Sequence, residues 1–160
     1  MRMDKFTSRL QSALSDAQSL AIGRDHQFIE PLHLMMGLLD QDGGSARHLL
    51  VQASVNVRQL RAQLVEAIDR LPKVEGNDGD IQLSNELIRL LNVSDKFAQQ
   101  WGDQYISSEM FILASVEANN ELSRLLKING ADRKVVNDAI DTMRGGQQVD
   151  EPNSEDQRQV

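Results

Sequence analysis

Three histidines are the residues of this chain best suited to bind a metal ion or to move a proton near neutral pH. They are His26, His33 and His48, and no two of them form the His-Glu-x-x-His spacing that places two ligands on one face of a helix. His33 lies within an apolar run, where a packed side chain is the expected outcome. We therefore predict that the chain holds no metal site.

Nucleophilic and phosphate-binding motifs are also missing from the sequence. The absence of cysteine excludes a thiol nucleophile, a Cys-ligated zinc site and a disulfide framework. Gly43-Gly44-Ser45 lacks the Gly-x-Ser-x-Gly pattern of a serine hydrolase, and no Gly-x-x-x-x-Gly-Lys-Ser/Thr loop is present to cradle phosphates. These absences predict a chain that is not an enzyme and binds no cofactor. A small enzyme or metal protein stays open as an alternative, which turnover or bound metal would support.

Composition narrows the class of partner. The net charge is −7, the pI is about 4.9, and no basic run is present, so that a nucleic acid would be repelled by most of the surface. No apolar run approaches the length that spans a membrane, and the first residues have no apolar signal region. We expect a soluble cytoplasmic protein with neither nucleic-acid nor membrane partners.

The chain contains the same helical unit twice. Leu10, Leu14 and Ile29 align with Leu87, Leu91 and Ile106 at a constant offset of 77 residues, and after one deletion the offset becomes 76. Apolar residues recur at three- and four-residue spacings and only 4% of residues are aromatic, which favours an all-α fold. Two copies of one helical unit are expected to pack about a pseudo-two-fold axis, since neither can bury its apolar face alone.

Eight helices are predicted, four in each repeat, with several boundaries marked by capping residues. They span about 5–22, 31–40, 44–52 and 57–70 in the first unit, and 85–101, 108–118, 120–128 and 133–143 in the second. Pro31 suits a first helical position, Asn56 with Gln59 forms a possible capping box, and side-chain caps are expected at Ser84, Ser107 and Asp132.

These patterns predict one domain at 1–143. Repeat 1 covers about 5–70, repeat 2 about 83–143, and an exposed loop at about 71–82 connects them. Residues 144–160 are polar and cannot bury enough apolar area to offset the entropy of ordering them. We interpret 144–160 as a flexible linker leading to a further domain that this chain lacks.

Specific segments resemble the Clp amino-terminal repeat domain of AAA+ unfoldases, and within that family the ClpB-type disaggregases. The resemblance covers residues 1 to about 160. Its most specific parts are Met1-Arg2-Met3-Asp4-Lys5-Phe6-Thr7, Gln27-Phe28-Ile29-Glu30-Pro31-Leu32-His33-Leu34, Ile106-Ser107-Ser108-Glu109-Met110-Phe111 and Glu155-Asp156-Gln157-Arg158-Gln159. The last of these is similar to the linker that precedes the first ATPase domain in that family.

The resemblance implies a substrate-recognition domain that binds exposed apolar segments of unfolded or aggregated proteins in a shallow groove. It would pass them to the ATPase ring of a homohexamer that uses ATP and Mg²⁺ and works with a DnaK-type chaperone system, while the isolated domain would be a monomer. Two alternatives stay open: an adaptor-docking domain of the ClpA or ClpC type, and a domain that only stabilises the ring.

The resemblance also implies six client-binding residues. Thr7, Asp103 and Glu109 are the polar candidates, and Leu91, Val93 and Met110 are the apolar ones. Each has a structural alternative: Thr7 could cap the first helix, Asp103 could form a turn, and Glu109 could complement a helix dipole. The three apolar residues stand at helical spacing and could simply be core.

Overall fold

The computed structural model describes residues 2–75 and 80–157, and it confirms the all-α double repeat. Within those ranges the first unit contains α1 (Ser8–Gly23), α2 (Pro31–Leu39), α3 (Ser45–Gln52) and α4 (Val57–Asp69). The second contains α5 (Asn85–Gln100), α6 (Ser108–Glu117), α7 (Glu121–Ile128) and α8 (Arg133–Arg144). Two short strands, β1 (Phe28–Ile29) and β2 (Gln82–Leu83), precede α2 and α5, and single 3₁₀ turns occupy Met3–Lys5 and Ser154–Gln157.

Capping side chains set many of the helix starts. Thr7, Asn56, Ser84 and Asp132 each accept a hydrogen bond from a backbone N–H in the first turn of the following helix. The expected cap at Ser107 is wrong, because its side chain makes no capping bond to α6. A capping box that the sequence did not suggest joins Asn120 and Ser123 at the start of α7.

The helices α2 and α6 form the centre of the core. Every residue of α2 is buried, as is every residue of α6 from Ser108 to Val116. A helix that is covered on all sides needs neighbours from both halves, and α2 contacts α7 while α6 contacts α3. The two repeats therefore share one core.

Two backbone pairings between the halves are related by the internal symmetry. Phe6 pairs in parallel with Ile106, and Ile29 pairs in parallel with Leu83. The offset of 77 residues converts the first pair into the second. Matching hydrogen bonds follow, since the Thr7 N–H donates to the Ile106 carbonyl and the Ser84 N–H donates to the Ile29 carbonyl, both at 3.0 Å. Within the described ranges β1 with β2 is the only pairing between named strands, and together with the Phe6–Ile106 bridge it joins one half to the other.

The segment after α8 differs from the predicted free linker. The Pro152 carbonyl accepts a 2.7 Å hydrogen bond from the Ser8 N–H, and the side chains of Val149 and Glu155 are buried against the domain. Composition alone misses this docking because the partners lie far away in the sequence. Residues 158–160 of the predicted linker lie outside the described residues.

The predicted connecting loop is partly held in place. Lys73 pairs with His26, and the Val74 N–H donates to the Asp25 carbonyl at 2.8 Å. Residues 76–79 of this loop lie outside the described residues. Among the described helices, none combines the length and apolar character needed to cross a bilayer.

Candidate functional site

Arg144, the last residue of α8, lies at the centre of a buried group of charges. Its Nη1 and Nη2 each donate to one carboxylate oxygen of Asp103 at 2.8 Å, and its Nε donates to Oε1 of Glu109 at 3.1 Å. The three side chains are at most 1% exposed. Burial lowers the pKa of Arg144, but hydrogen bonds and charges from the two carboxylates raise it by more, so that the guanidinium stays protonated.

Glu155 places a third carboxyl group beside these charges. Its Oε1 accepts from the Ser45 hydroxyl at 2.8 Å, and its Oε2 accepts from the Ser108 N–H at 3.2 Å and from the Thr7 hydroxyl. Burial raises the pKa of Glu155, and the nearby charge of Glu109 raises it further. We name the set Thr7, Ser45, Asp103, Ser108, Glu109, Arg144 and Glu155 the Arg144 cluster.

Three helices direct their amino-terminal ends at the Glu155 carboxyl group. Thr7 is the N-cap of α1, Ser45 is the first residue of α3, and Ser108 is the first residue of α6. Unpaired N–H groups and the helix dipole make such ends favourable places for carboxyl oxygens. The local sequence thus positions the pocket through caps and helix starts, while long-range packing brings the three ends together.

The polar residues that the resemblance implied come together in this cluster. Thr7 caps α1 through a 3.3 Å bond from the Leu10 N–H, as its structural alternative predicted, and it also contacts Glu155. Asp103 holds Arg144 and accepts a 3.0 Å bond from the Val149 N–H, and Glu109 contacts Arg144. All three side chains are buried, so a client would not reach them in this conformation.

The apolar candidates have a different environment from an open groove. Leu91 and Met110 are 0% exposed and belong to the core, where α5 packs on α6. Val93 is half-buried and packs against the same core. Leu91 and Met110 therefore do not line an accessible groove in this conformation, and the core alternative describes these two residues correctly.

Four members of the cluster, namely Ser45, Ser108, Arg144 and Glu155, were not among the residues predicted from sequence. Arg144 was placed in the predicted linker at 144–160, Ser45 was considered only as part of a hydrolase motif, and Ser108 was named only within a segment that carries the family resemblance. Glu155 lies in a polar stretch without periodicity, so that no local pattern marks it as buried. A buried carboxyl group so far from Thr7 in sequence becomes visible only in three dimensions.

The position that the internal symmetry relates to the Glu155 pocket has fewer hydrogen-bond donors and more carboxylates. At offset 77, Arg9 corresponds to Glu86, Ser108 to Pro31 and Glu109 to Leu32, and at offset 76 Ser45 corresponds to Glu121. Proline has no N–H to donate, and the added carboxylates would repel an anion. An open pocket of about 200 Å³ lies there, lined partly by Pro31, Leu32 and Glu121. The donor set for a carboxyl group thus occurs at one of the two related positions.

An exposed apolar groove lies elsewhere, between α1 and β2. It has a volume of about 400 Å³ and its apolar lining comes from both halves, namely Met3, Leu14, Ile29, Ile81 and Leu83. Gln11, Ser15, Gln18 and Gln82 supply polar rim atoms. We name this surface the α1–β2 groove. None of these residues was among the six candidates, because groove exposure depends on how the halves pack.

His26 and His33 serve the fold. His26 Nδ1 lies 2.8 Å from His33 Nε2, and His33 Nδ1 accepts a 2.8 Å bond from the Glu30 N–H at the start of α2. Burial, followed by the neighbouring His26, lowers the pKa of His33 to about 4. Within the described ranges no group of three or more His, Cys, Asp or Glu residues could hold a metal ion.

Comparison with known proteins identifies related chains. The sequence pattern of the Clp repeat (R) N-terminal domain matches residues 5–129. A chaperone protein ClpB from Vibrio cholerae serotype O1 is 55% identical over 160 residues, which is 100% of this chain and 19% of that relative. The chain thus spans about a fifth of the length of this relative.

Two solved structures share the fold. The Hsp104 N-terminal domain from Candida albicans has a TM-score of 0.81 at 18% identity, with 94% of this chain and 99% of that chain covered. A ClpV N-domain in complex with a VipB peptide has a TM-score of 0.69 at 20% identity, with 84% and 89% covered. Similarity at these identities shows the fold alone.

Proposed function

Because the chain belongs to the Clp repeat (R) N-terminal domain family, we propose that it is the substrate-recognition domain of a ClpB-like, ATP-dependent protein disaggregase. It binds exposed apolar segments of unfolded or aggregated proteins and passes them to an ATPase ring. In this proposal the longer protein is a cytoplasmic homohexamer that carries the ATP and Mg²⁺ sites and works with a DnaK-type system. This domain itself catalyses no reaction.

The α1–β2 groove is the observation that carries the proposal. Met3 at its edge is 44% exposed and Ile81 and Leu83 are half-buried, while Leu14 and Ile29 form its buried floor. An exposed apolar surface with polar side chains at its rim is typical of a surface that binds other proteins. Methionine and glutamine side chains adapt to different partners, which suits a site that accepts many sequences.

A fold of this kind can bind a peptide, as the ClpV N-domain in complex with a VipB peptide illustrates for that protein. In the present chain the groove is shallow and offers few fully buried anchor positions. We therefore expect a dissociation constant in the micromolar range or weaker, which corresponds to a binding free energy of about 8 kcal/mol or less. Several copies in a ring would raise the overall affinity.

The six candidate residues support this site indirectly in our proposal. Leu91, Val93 and Met110 hold the core that keeps the halves, and hence the two sides of the groove, in register. Thr7 and Asp103 hold the segment after α8 that would connect the domain to the rest of the protein, and Glu109 holds Arg144 at the end of α8, where that segment begins. Loss of any of the three polar side chains would therefore affect client handling by changing how the domain is held.

An NMR titration with a permanently unfolded client protein tests the function. We expect amide shifts at Met3, Gln18 and Leu83 in the wild-type chain. Met3→Gln should weaken client binding several-fold. Val51→Gln is the matched control, since it also removes an exposed apolar side chain but lies on α3, outside the groove.

The proposal is wrong if the folded chain shows no shifts at millimolar client, or if both variants weaken binding equally. The first result would favour adaptor docking or ring stabilisation. Those two alternatives would then be separated by asking whether removal of the domain from the longer protein changes partner binding or hexamer assembly.

A further inference from the structure

The segment from Val149 to Gln157 contacts the domain in the manner of a bound peptide. Backbone groups of the domain hold its main chain: the Ser8 N–H donates to the Pro152 carbonyl at 2.7 Å, and the Gln104 N–H donates to the Val149 carbonyl at 2.8 Å. Side chains then fix its register, because Asp103 accepts the Val149 N–H and Arg9 pairs with Asp156. Main-chain bonds with a few side-chain pockets are the usual elements of peptide recognition.

One side chain of this segment enters a closed polar pocket. Glu155 is 2% exposed, and its two oxygens contact the Thr7 and Ser45 hydroxyls and the Ser108 N–H. A hydroxyl can donate to a carboxylate or accept from a carboxylic acid, so the pocket accommodates both protonation states. The hydroxyl of Ser108 is also buried there, and it has no hydrogen-bond partner among the described residues. The pocket therefore retains hydrogen-bonding capacity that Glu155 does not use.

The hydrogen-bond donors of the pocket suit a carboxyl group, and the nearby charge of Glu109 favours its protonated form. The pocket's symmetry-related position has Pro31 and Glu121 in place of Ser108 and Ser45, which removes one N–H donor and one hydroxyl. Buried polar groups cost free energy when they lack partners, so the Thr7, Ser45 and Ser108 donors would pair with water or with another ligand once the segment left. The donors thus require an occupant with acceptor oxygens.

We propose that the pocket formed by Thr7, Ser45 and Ser108 is a peptide-docking site for a carboxyl side chain, filled in cis by Glu155 and able to take an acidic segment of another chain when residues 149–157 leave. This site lies apart from the α1–β2 groove. It extends the proposed function, because it accepts a polar side chain that carries acceptor oxygens, whereas the groove accepts apolar side chains. The cis segment competes with any such ligand at an effective concentration of about 1 mM or more.

The test uses the full chain with Glu155→Ala and a synthetic peptide of sequence 149–157. Backbone NMR signals of Thr7, Ser45 and Ser108 report occupancy of the pocket. We expect the peptide to bind the Glu155→Ala chain at least tenfold more tightly than the wild type, whose own segment competes. The same peptide with Glu155→Ala should bind the variant chain at least tenfold more weakly than the original peptide.

Glu151→Ala in the chain is the matched control, since it removes an exposed acidic side chain from the same segment and should leave peptide binding as weak as in the wild type. Equal binding of both peptides, or no shift at these amides in the Glu155→Ala chain, would overturn the proposal. If that chain does not fold, the original peptide should restore its helical circular dichroism signal through binding to the folded state. Failure to restore that signal would equally overturn it.

Shifts at Thr7 and Ser108 separate this site from the groove, whose reporters are Met3 and Leu83. The experiment can therefore show that peptide docking fails while client binding succeeds, or that client binding fails while peptide docking succeeds. An unfolded client that shifts both sets of signals would show that the two sites act on one chain.

Discussion

Replacing Arg144 with isoleucine should destabilise the domain strongly. Isoleucine is the residue that the other half already has at the symmetry-related position, where Ile68 is 2% exposed. In the Arg144→Ile chain, Asp103 and Glu109 would lie beside each other without their guanidinium partner. Both carboxylates are 0% exposed, so water cannot solvate them in the present packing.

The magnitude follows from the loss of one partner of a buried ion pair. Removing one member leaves an uncompensated charge and typically costs about 3–5 kcal/mol. Arg144 also lies 5.1 Å from the centre of the Trp101 ring, a contact worth about 0.5–1 kcal/mol at most sites. For a protein of this size each kcal/mol lowers the melting temperature by about 2–4 °C, so a drop of about 6–20 °C is expected.

The drop in melting temperature can be measured by thermal unfolding, with circular dichroism and the fluorescence of Trp101, the single tryptophan, as the two signals. Arg124→Ile is the matched control: its ion pair with Glu121 is exposed, and its loss should cost about 1 kcal/mol or less. A triple variant separates charge from packing. Combining Asp103→Asn and Glu109→Leu with Arg144→Ile removes the charges together and should return the stability to within about 2 kcal/mol of wild type.

The electrostatic account is refuted if Arg144→Ile costs less than about 1 kcal/mol, the range of an exposed pair. It is also refuted if the triple variant is as unstable as the single one, since lost packing would then explain the whole effect. Acidification gives an independent check. Neutralising carboxylates at low pH should reduce the difference between the single variant and the wild type.

Three further predictions concern other buried positions. The wild-type His33 ring should stay neutral in NMR titrations down to about pH 4; because its folded pKa is depressed, its contribution to stability falls as pH drops from about 6.5 toward 4. Glu155→Gln should be at least as stable as wild type at pH 7.5 and should lose this advantage near pH 4.5. The reason is that the pKa of Glu155 is raised in the folded state, so the wild type loses stability as the pH rises through that pKa. A wild type that is more stable than Glu155→Gln in chemical denaturation at pH 7.5 would contradict this. Gly37→Ala should cost about 1–3 kcal/mol in urea unfolding, because its methyl group would lie 2.7 Å from the Ala13 carbonyl oxygen; Gly23→Ala, which meets nothing within 4 Å, is the control and should cost nothing.

The helices could be predicted because their signals are local. Apolar spacing repeats in each half, and caps such as Ser84 and Asp132 stand next to the helices they begin. The start of α1 was predicted too early for the same reason. Phe6 continues the apolar pattern, but its backbone pairs with Ile106, and that pairing keeps the chain extended until Thr7. A contact between residues this far apart leaves no trace in a local pattern.

The candidate site was only partly accessible from sequence. Thr7, Asp103 and Glu109 were implied by a family resemblance, and the structure shows what they have in common: each holds Arg144, Glu155 or the segment between them. Composition assigned that segment to solvent because it is polar. The segment is docked instead, because three helix ends from distant parts of the sequence supply hydrogen bonds to the Glu155 carboxyl group that no nearby residue could supply.

The two halves show that the charges are not needed for the fold itself. Where the second half has Glu109 and Arg144, the first has Leu32 and Ile68, and both positions are buried within the same helical framework. Replacing a buried ion pair by apolar side chains is often neutral for stability, so folding alone gives no reason to keep the pair. What the charged half has in addition is the docked segment, with Asp103 on its Val149 N–H and the Glu155 carboxyl next to Glu109. The asymmetry therefore associates the Arg144 cluster with holding that segment, and a triple variant that folds normally but exposes Glu155 would establish that association.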